Sequence, residues 1–268
     1  VSQTAGVGFD VTVTAYDAFD NIDTNYAGSK AVTFQWNSTT ATDVLTQAAT
    51  FPAGPFTFTA GVHATTGDLF TLYNEWDGSS PELATTAPFA TTLGGFNATH
   101  NSTVGFIKVF DNNTADQHSN TEYTTGTLTT DQTDDFWAHG YDQWGNYHSL
   151  QSVTWTGTSD LTGDTSGTAN TTTLAPSTVG SGTVNADHAS ATDDATGTIT
   201  INPGAANYCT ADWSTQTSPV TAGVTFGLTV TAYDADNNVA TGYTGAKALT
   251  YSWNSASTAP DTSTIPLK

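Results

Sequence analysis

Short runs of Asp and Asn in this chain have the oxygen-rich chemistry of a divalent cation site. Ca²⁺ takes about six to eight oxygen ligands from carboxylates, amides and backbone carbonyls. Two runs at equivalent positions predict calcium sites, with candidate ligands Asp17, Asp20, Asn21, Asp23, Asp234, Asp236 and Asn238. A third run, from Asp111 to Asp116, has a similar composition. None has EF-hand spacing, and Asx-rich turns without metal are common, so an ordinary turn is the open alternative.

Adjacent carboxylates could also perform acid–base chemistry. Two such pairs are Asp134–Asp135 and Asp193–Asp194. A catalytic carboxyl group needs an apolar cleft that raises its pKa, whereas these pairs lie in polar, easily solvated runs. The sequence has no nucleophile elbow, phosphate-binding loop or dinucleotide fingerprint, and its six histidines form no ligand motif. We therefore predict that the protein is not an enzyme and has no cofactor beyond the possible calcium.

The charge balance excludes several classes of partner. The chain of 268 residues carries 25 acidic residues against four basic ones, a formal net charge of -21. Nucleic acids and anionic membranes are recognised mainly through Lys and Arg, so we predict no binding to nucleic acid. No apolar run approaches the ~20 residues of a membrane span, which predicts no membrane insertion. Divalent cations or salt would screen such an acidic surface.

Several further side chains suggest an extracellular setting or a cross-link. Cys209 has no partner in the chain, which predicts a small buried apolar side chain, with an intermolecular disulfide as the alternative. Lys30 and Lys247 occupy equivalent positions, where either a local salt bridge or an isopeptide bond to an Asn would fit. Five Asn-x-Ser/Thr sequons are candidate glycosylation sites, although chance explains some sequons in a chain so rich in Asn and Thr: Asn37, Asn97, Asn101, Asn112 and Asn170.

The elements that must position these residues are strands. The segments 9–16 and 31–36 alternate apolar and polar residues with period two, as half-buried strands do. No segment has a convincing helical period. Short strands separated by Gly, Pro, Asn and Asp predict an all-β fold of β-sandwiches.

The chain also repeats itself. The segment Thr4–Ser38 recurs at Thr221–Ser255 with 22 of 35 positions identical. A weaker echo at Phe136–Asn146 has the same Tyr-Asp-x-x-x-Asn hairpin pattern, which stands at 16–21 and 233–238 in the stronger copies. Repetition at this level predicts an array of similar modules.

The tryptophans fall into two groups. Trp36, Trp155 and Trp253 occupy one equivalent strand, which predicts an indole packed between two sheets. The remaining four could pack in cores or between modules, or could stack on sugar rings if exposed. They are Trp76, Trp137, Trp144 and Trp213.

The junction between the last two modules resembles that of a known group. The run Ile199–Ala206 followed by Val220–Gly223 and Thr229–Asp234 is similar to tandem immunoglobulin-like repeats of bacterial and archaeal surface proteins. These are the Big-type and filamin-like modules of adhesins, S-layer-associated proteins and extracellular fibres. The resemblance implies an immunoglobulin-like scaffold on the cell surface without implying a ligand. The family pattern usually has Gly before the turn Asn, where Asp20 and Asn237 stand here.

These observations predict three immunoglobulin-like modules: 1–92, a diverged second module with an insertion at 93–203, and an incomplete third at 204–268. A half sandwich leaves an open strand edge, so either the chain continues or strands of a neighbouring copy complete it. The predicted function is structural, in an extracellular prokaryotic filament, sheath or cell-surface fibre. The alternative is an adhesin or carbohydrate-binding stalk. The expected partners are copies of the chain itself or adjacent repeats, with possible glycans.

Overall fold

A computed structural model of the chain describes residues 2–36, 45, 47–67, 69–74, 83–87, 91–93, 97–113, 122–213, 221 and 223–250. Apart from one 3-10 turn at Ser159–Leu161, the regular elements of these residues are strands. This confirms the predicted all-β class built from β-sandwich modules. No described residue belongs to a helix long and apolar enough to cross a membrane.

The first region is held by short strand pairs around aromatic side chains. Its strands are β1 (Ser2–Thr4), β2 (Gly8–Phe9), β3 (Thr12–Thr14), β4 (Gly28–Lys30), β5 (Thr33–Trp36), β6 (Phe56–Phe58), β7 (Val62–Ala64), β8 (Phe70–Thr71), β9 (Leu83–Ala87), β10 (Thr91–Leu93) and β11 (Asn97–Thr99). The antiparallel pairs are β2 with β8, β3 with β7, β4 with β6, and β9 with both β5 and β10. One apolar cluster surrounds Phe70 and Leu72, and a second surrounds Phe56 and Phe58.

The second region is the most complete sandwich. Its strands are β12 (Phe106–Phe110), β13 (Gly126–Thr129), β14 (Asp134–Tyr141), β15 (Tyr147–Leu150), β16 (Val153–Gly157), β17 (Ser166–Ala169), β18 (Thr171–Leu174), β19 (Gly180–Gly182), β20 (Val184–Asp187), β21 (Asp194–Ala195) and β22 (Ile199–Asn202). β14 pairs with β12, β15 and β18, while β16 lies between β17 and β20. A third sheet has β22 between β13 and β19. Since alternate residues of each strand face inward, the three sheets enclose one apolar core.

Trp155 lies in that core as the sequence predicted. Its side chain is buried, and its indole N–H donates to the carbonyl oxygen of Ala169 at 3.0 Å. Trp36 is half-buried against the cluster around Phe70. Trp253 lies outside the described residues.

In its described part, the third region contains one two-stranded antiparallel sheet, β23 (Tyr208–Asp212) with β24 (Thr229–Tyr233). Cys209 lies on β23 and is exposed, so the prediction of a buried thiol is wrong. The physical reason is that every residue of β23 is exposed, because none of the described residues forms a sheet that covers this strand.

The three predicted ranges serve below as names for the modules, and their boundaries stay predictions. One pairing crosses the first boundary, since β11 runs parallel to β1 with Asn97 opposite Ser2. The apolar core of the second module is made of residues between Val104 and Ile201.

Candidate functional site

The Tyr-Asp-x-x-x-Asn motif forms the same tight turn three times. We call Asp17–Asn21, Asp142–Asn146 and Asp234–Asn238 the first, second and third turns. In each, the Asp N–H donates to the Asn carbonyl oxygen, at 2.8, 2.9 and 2.9 Å respectively. The residue before each Asn has a positive φ, which is 62° at Asp20, 92° at Gly145 and 70° at Asn237. Asp and Asn tolerate this left-handed conformation, so they replace the usual Gly.

The Asp carboxylate organises each turn. One of its oxygens accepts the N–H groups two and four residues further on, and in the second turn these bonds from Trp144 and Asn146 to Asp142 Oδ1 are 2.9 and 3.0 Å long. Charge-assisted bonds of this kind are stronger than neutral ones. The shared sequence therefore fixes the shape of all three turns.

The second turn is bound to the end of the first module. Asn146 Nδ2 donates to the carbonyl oxygen of Tyr73 at 2.7 Å, and Asn74 Nδ2 donates to the carbonyl oxygen of Trp144 at 3.0 Å. The remaining oxygen of Asp142 accepts the backbone N–H of Asn101, near the start of the predicted second module, at 2.8 Å. Asp142 and Asn146 are fully buried. We call this contact the 1–2 joint.

Apolar packing closes the 1–2 joint. The Trp144 indole lies against the Tyr73 ring with a centroid distance of 4.4 Å, and it also covers Gly6. Gly145 approaches Leu45 so closely that an added Cβ would lie 2.6 Å from the Leu45 nitrogen. Glycine at this position therefore serves close approach as well as the positive φ. Of the two alternatives for the four other tryptophans, packing rather than sugar stacking describes the observed contacts of Trp144.

Asn74 fixes the surface that receives the second turn. Its buried side chain accepts the N–H of Gln47 at 2.7 Å and donates to the carbonyl oxygen of Leu45 at 3.1 Å. Its own carbonyl oxygen accepts the indole N–H of Trp36 at 3.3 Å. A fully bonded amide of this kind is rigid, because every alternative rotamer would break several bonds.

The third turn is bound to the end of the second module in the same way. Asn238 Nδ2 donates to the carbonyl oxygen of Ser177 at 3.1 Å. Asp234 Oδ2 accepts the N–H of Gly204, at the start of the predicted third module, at 3.0 Å and the hydroxyl of Thr130 in the second module at 2.7 Å. Asp234 is fully buried. This contact is the 2–3 joint.

Electrostatics favour the charged form of Asp234. Burial alone would raise the pKa of Asp234, but hydrogen bonds from Thr130, Asn238 and Gly204 outweigh burial and lower the pKa to about 2. The carboxylate of Asp234 is therefore ionised at every pH well above this pKa of about 2. It acts as a charged acceptor that connects two modules.

The first turn has the same backbone conformation as the other two, but it is exposed to solvent. Asp17 Oδ1 accepts the N–H groups of Phe19 and Asn21 at 2.8 and 3.0 Å. These backbone bonds from Asn21 and Phe19 lower the pKa of Asp17. Asp17 and Asn21 are exposed, and Phe19, which takes the place of Trp144, has 84% of its surface exposed.

The calcium candidates lie in these turns and in the residues that follow them. Asp20 is the left-handed residue of the first turn, while Asp23 comes two residues later and accepts the N–H of Asn25 at 3.0 Å. Asp236 donates its N–H to Asp234. Among the residues described, no group of three or more His, Cys, Asp or Glu side chains is arranged to hold a metal ion. Calcium binding stays a prediction.

The sequons lie in different surroundings. Asn170 is exposed between β17 and β18, whereas Asn101 and Asn112 are half-buried. Asn37 lies outside the described residues, and Asn97 lies on β11. Glycosylation also stays a prediction.

The two repeated lysines contact aromatic rings. Lys30 Nζ lies 4.6 Å from the centre of the Tyr26 ring, and Lys247 Nζ lies 4.4 Å from that of Tyr243. The ion pairs among the described residues involve Lys108, and both expectations for Lys30 and Lys247, a salt bridge or an isopeptide bond, stay predictions. Each Tyr stands four residues before its Lys and presents its ring face to the ammonium group.

The carboxylate pairs do not face each other across a cleft. Asp134 and Asp135 are neighbours on β14, so their side chains point to opposite faces. Burial raises the pKa of Asp194, although Asp194 accepts the N–H of Val109 and lies 3.7 Å from Lys108 Nζ. These contacts resemble a structural ion pair more than an acid–base site. The non-enzyme interpretation remains a prediction.

His139 is a buried imidazole beneath the second turn. Both ring nitrogens lack a hydrogen-bond partner, and the ring packs 4.5 Å from the Phe110 centroid. Burial lowers the pKa of His139 to about 4. The ring of His148, on β15, lies 4.4 Å from that of His100.

Comparisons with known proteins give limited help. No protein-family model matches the chain, and no curated protein matches it. One similar solved structure is described as "FdeC, a Novel Broadly Conserved Escherichia coli Adhesin Eliciting Protection against Urinary Tract Infections". The similarity has 15% identity and a TM-score of 0.44, and it covers 89% of this chain and 72% of that one. A likeness at this level carries no weight, so the functional inference rests on the joints.

Proposed function

We propose that the chain is a load-bearing stalk segment of an extracellular prokaryotic surface protein, of the adhesin or fibre type. Its role is to hold successive β-sandwich modules end to end at fixed angles. The observation that carries this proposal is the pair of joints, in which a buried Asp accepts a backbone N–H and the Asn of the same turn donates to a carbonyl oxygen of the preceding module. A flexible linker would leave these polar groups in water.

Bond directionality supports a stalk. Each joint combines at least three hydrogen bonds with different directions, and the 1–2 joint adds an aromatic contact. Such a contact resists both bending and rotation between modules. An acidic surface with a net charge of -21 would add repulsion between stalks and keep them apart.

Nuclear spin relaxation tests this role directly. If the modules form one rigid rod, backbone ¹⁵N relaxation in the first and second modules will fit a single anisotropic tumbling tensor. The variant Asn146→Ala should separate the two tensors, because it removes the bond to Tyr73. Asn21→Ala changes the same motif where it is exposed and is the matched control. Independent tumbling of the unmodified modules would refute the stalk.

Filament assembly is a finer form of this proposal. What supports it is the third region, where β23 and β24 pair with no further strand among the described residues. Open strand edges of this kind accept strands from other chains. Electron micrographs should then show polymers, and removal of 204–268 should abolish them. Calcium and glycans would act as accessories, and a chelator added before imaging tests the former.

A further inference from the structure

The first turn is built like the two turns that lie in joints, yet it is uncovered. Tyr16 has 61% of its surface exposed, whereas the equivalent Tyr141 has 4%. Phe19 projects into solvent at the position from which Trp144 packs on Tyr73. An aromatic side chain this exposed on a preformed turn costs solvation free energy, which suggests an interaction surface.

The polar groups of the first turn are also available. In both joints, the Asp oxygen Oδ2, the outer one, accepts a backbone N–H from the linker residues before strand β12 or β23, that of Asn101 or Gly204. All three turns also contain a contact between the Asn Nδ2 and this Asp oxygen, at 3.3, 2.9 and 3.1 Å in chain order. In the first turn this contact is exposed, and among the described residues no backbone N–H is bonded to the outer oxygen, Asp17 Oδ2. In the other two turns the Asn amide donates to a carbonyl oxygen of the preceding module as well.

A strand edge lies beside this surface. β14 leads into the second turn and pairs with β12, which begins five residues after Asn101. In the same way, β24 leads into the third turn and pairs with β23, which begins four residues after Gly204. β3 leads into the first turn and pairs with β7 alone among the described strands. Its other edge is therefore the position of a β12-like strand.

We infer that the first turn and the edge of β3 together form a third joint, whose occupant is another β-sandwich module placed before residue 2 of the same polypeptide. The linker of that module presents an N–H to Asp17 Oδ2, and its end presents a carbonyl oxygen to Asn21 Nδ2. Its linker strand pairs with β3, and Phe19 packs on its end. The inference rests on the proposed stalk function.

A chimera tests it with a module end that this chain already contains. Residues 93–220 are joined to 4–268, so that Thr4 takes the place of Thr221 and the end of the second module precedes the first turn. The backbone N–H of Asn21 should exchange with solvent at least tenfold more slowly in the chimera than in the 1–268 chain. Asp17→Ala should abolish this protection, whereas Asp187→Ala, at an exposed position outside the turns, should not.

A peptide keeps the test decisive if the chimera does not fold. A synthetic peptide of residues 200–213 carries the linker N–H and the β23 strand, and it should slow Asn21 exchange in the 1–268 chain saturably. Absence of protection in the folded chimera, or with the peptide when the chimera is unfolded, overturns the inference. Concentration-dependent self-association of 1–268 that Phe19→Ser abolishes would also overturn it, in favour of a second copy.

The two proposals fail separately. If the unmodified modules tumble independently, the stalk itself is wrong. If they tumble together but Asn21 stays unprotected, only the third joint is wrong.

Discussion

The first and second turns have the same backbone conformation, but the first is exposed to solvent and the second is buried. In both turns the Asp N–H donates to the Asn carbonyl oxygen, and the residue before that Asn has a positive φ. Asp142 and Asn146 are buried, while Asp17 and Asn21 are exposed. The comparison shows that the motif specifies the turn by itself, whereas burial depends on the module that lies against it. A matched substitution in each turn therefore separates local stability from joint stability.

The largest difference is expected for the aromatic residue of each turn. Trp144→Ala should destabilise the 1–2 joint by about 3 kcal/mol, because it removes the indole from Tyr73 and leaves a cavity. Phe19→Ala should change stability by less than about 0.5 kcal/mol, since Phe19 is exposed. Chemical denaturation of both variants measures the two values. Equal effects would mean that Phe19 already has a partner in the isolated chain.

Low pH should destabilise the second module more than the first. His139 lies on the strand before the second turn, where the first module has Thr14. Its folded pKa of about 4 is below the ordinary 6.5, so the unfolded state binds more protons between these values. Stability is therefore lost as pH falls from 6.5 towards 4, by up to about 3 kcal/mol at the acid limit.

His139→Leu should remove most of that loss. Denaturation of the second module at pH 7 and pH 4.5, with and without the substitution, gives the measurement. An unchanged acid dependence would show that His139 is protonated without cost in the folded state.

The buried carboxylate of the third turn should matter more than its exposed counterpart. Asp234→Ala removes the acceptor for Thr130 and Gly204, which should weaken the 2–3 joint by about 2 kcal/mol. Asp17→Ala breaks only bonds within its own exposed turn and should therefore have the smaller effect. The amides of Ala240 and Asp23 are equivalent reporters, because each donates to the strand before its turn at 2.9 Å.

Protonation offers an independent control for the 2–3 joint. The folded pKa of Asp234 is lowered to about 2 from 3.8, so its contribution is present above 3.8 and is lost as pH falls towards 2. Exchange at Ala240 should rise over this range in the unmodified chain and should be insensitive to pH in Asp234→Ala after correction for intrinsic exchange.

The smallest effect on stability is expected for the two repeated lysines, whose contacts with a Tyr ring are the same in both copies. Lys30→Gln and Lys247→Gln each remove one cation–π contact, worth about 0.5 kcal/mol at an exposed site. Exchange at the Tyr26 and Tyr243 amides should therefore accelerate about twofold in both variants. A large effect in only one copy would show that its Lys has an additional role.

The sequence predicted the elements better than their contacts. Period-two alternation and the Tyr-Asp-x-x-x-Asn repeat were sufficient for strands and hairpins, because these depend on neighbouring residues. Trp155 was placed correctly, since a large apolar residue on an alternating strand must face a core. Cys209 was placed wrongly, because burial also requires a covering sheet.

The joints themselves could not be predicted from the sequence. The partners of Asn146 and Asn238 are the carbonyl oxygens of Tyr73 and Ser177, and a carbonyl has no signature in the residue type. Trp144 carried the one usable signal, as an aromatic residue inside a turn. The candidate ligands for calcium were recognised by composition, but composition alone does not distinguish a metal ligand from a carboxylate that accepts N–H groups.

Main-chain recognition at the joints has an evolutionary consequence. The linker N–H groups of Asn101 and Gly204 and the carbonyls of Tyr73 and Ser177 would survive almost any substitution at those four positions. A unit that keeps its Asp and Asn could therefore be duplicated, deleted or exchanged without losing these main-chain bonds, and only side-chain contacts such as that of Trp144 with Tyr73 would need to be matched. Length would then be free to vary between strains while the geometry of each connection stays the same.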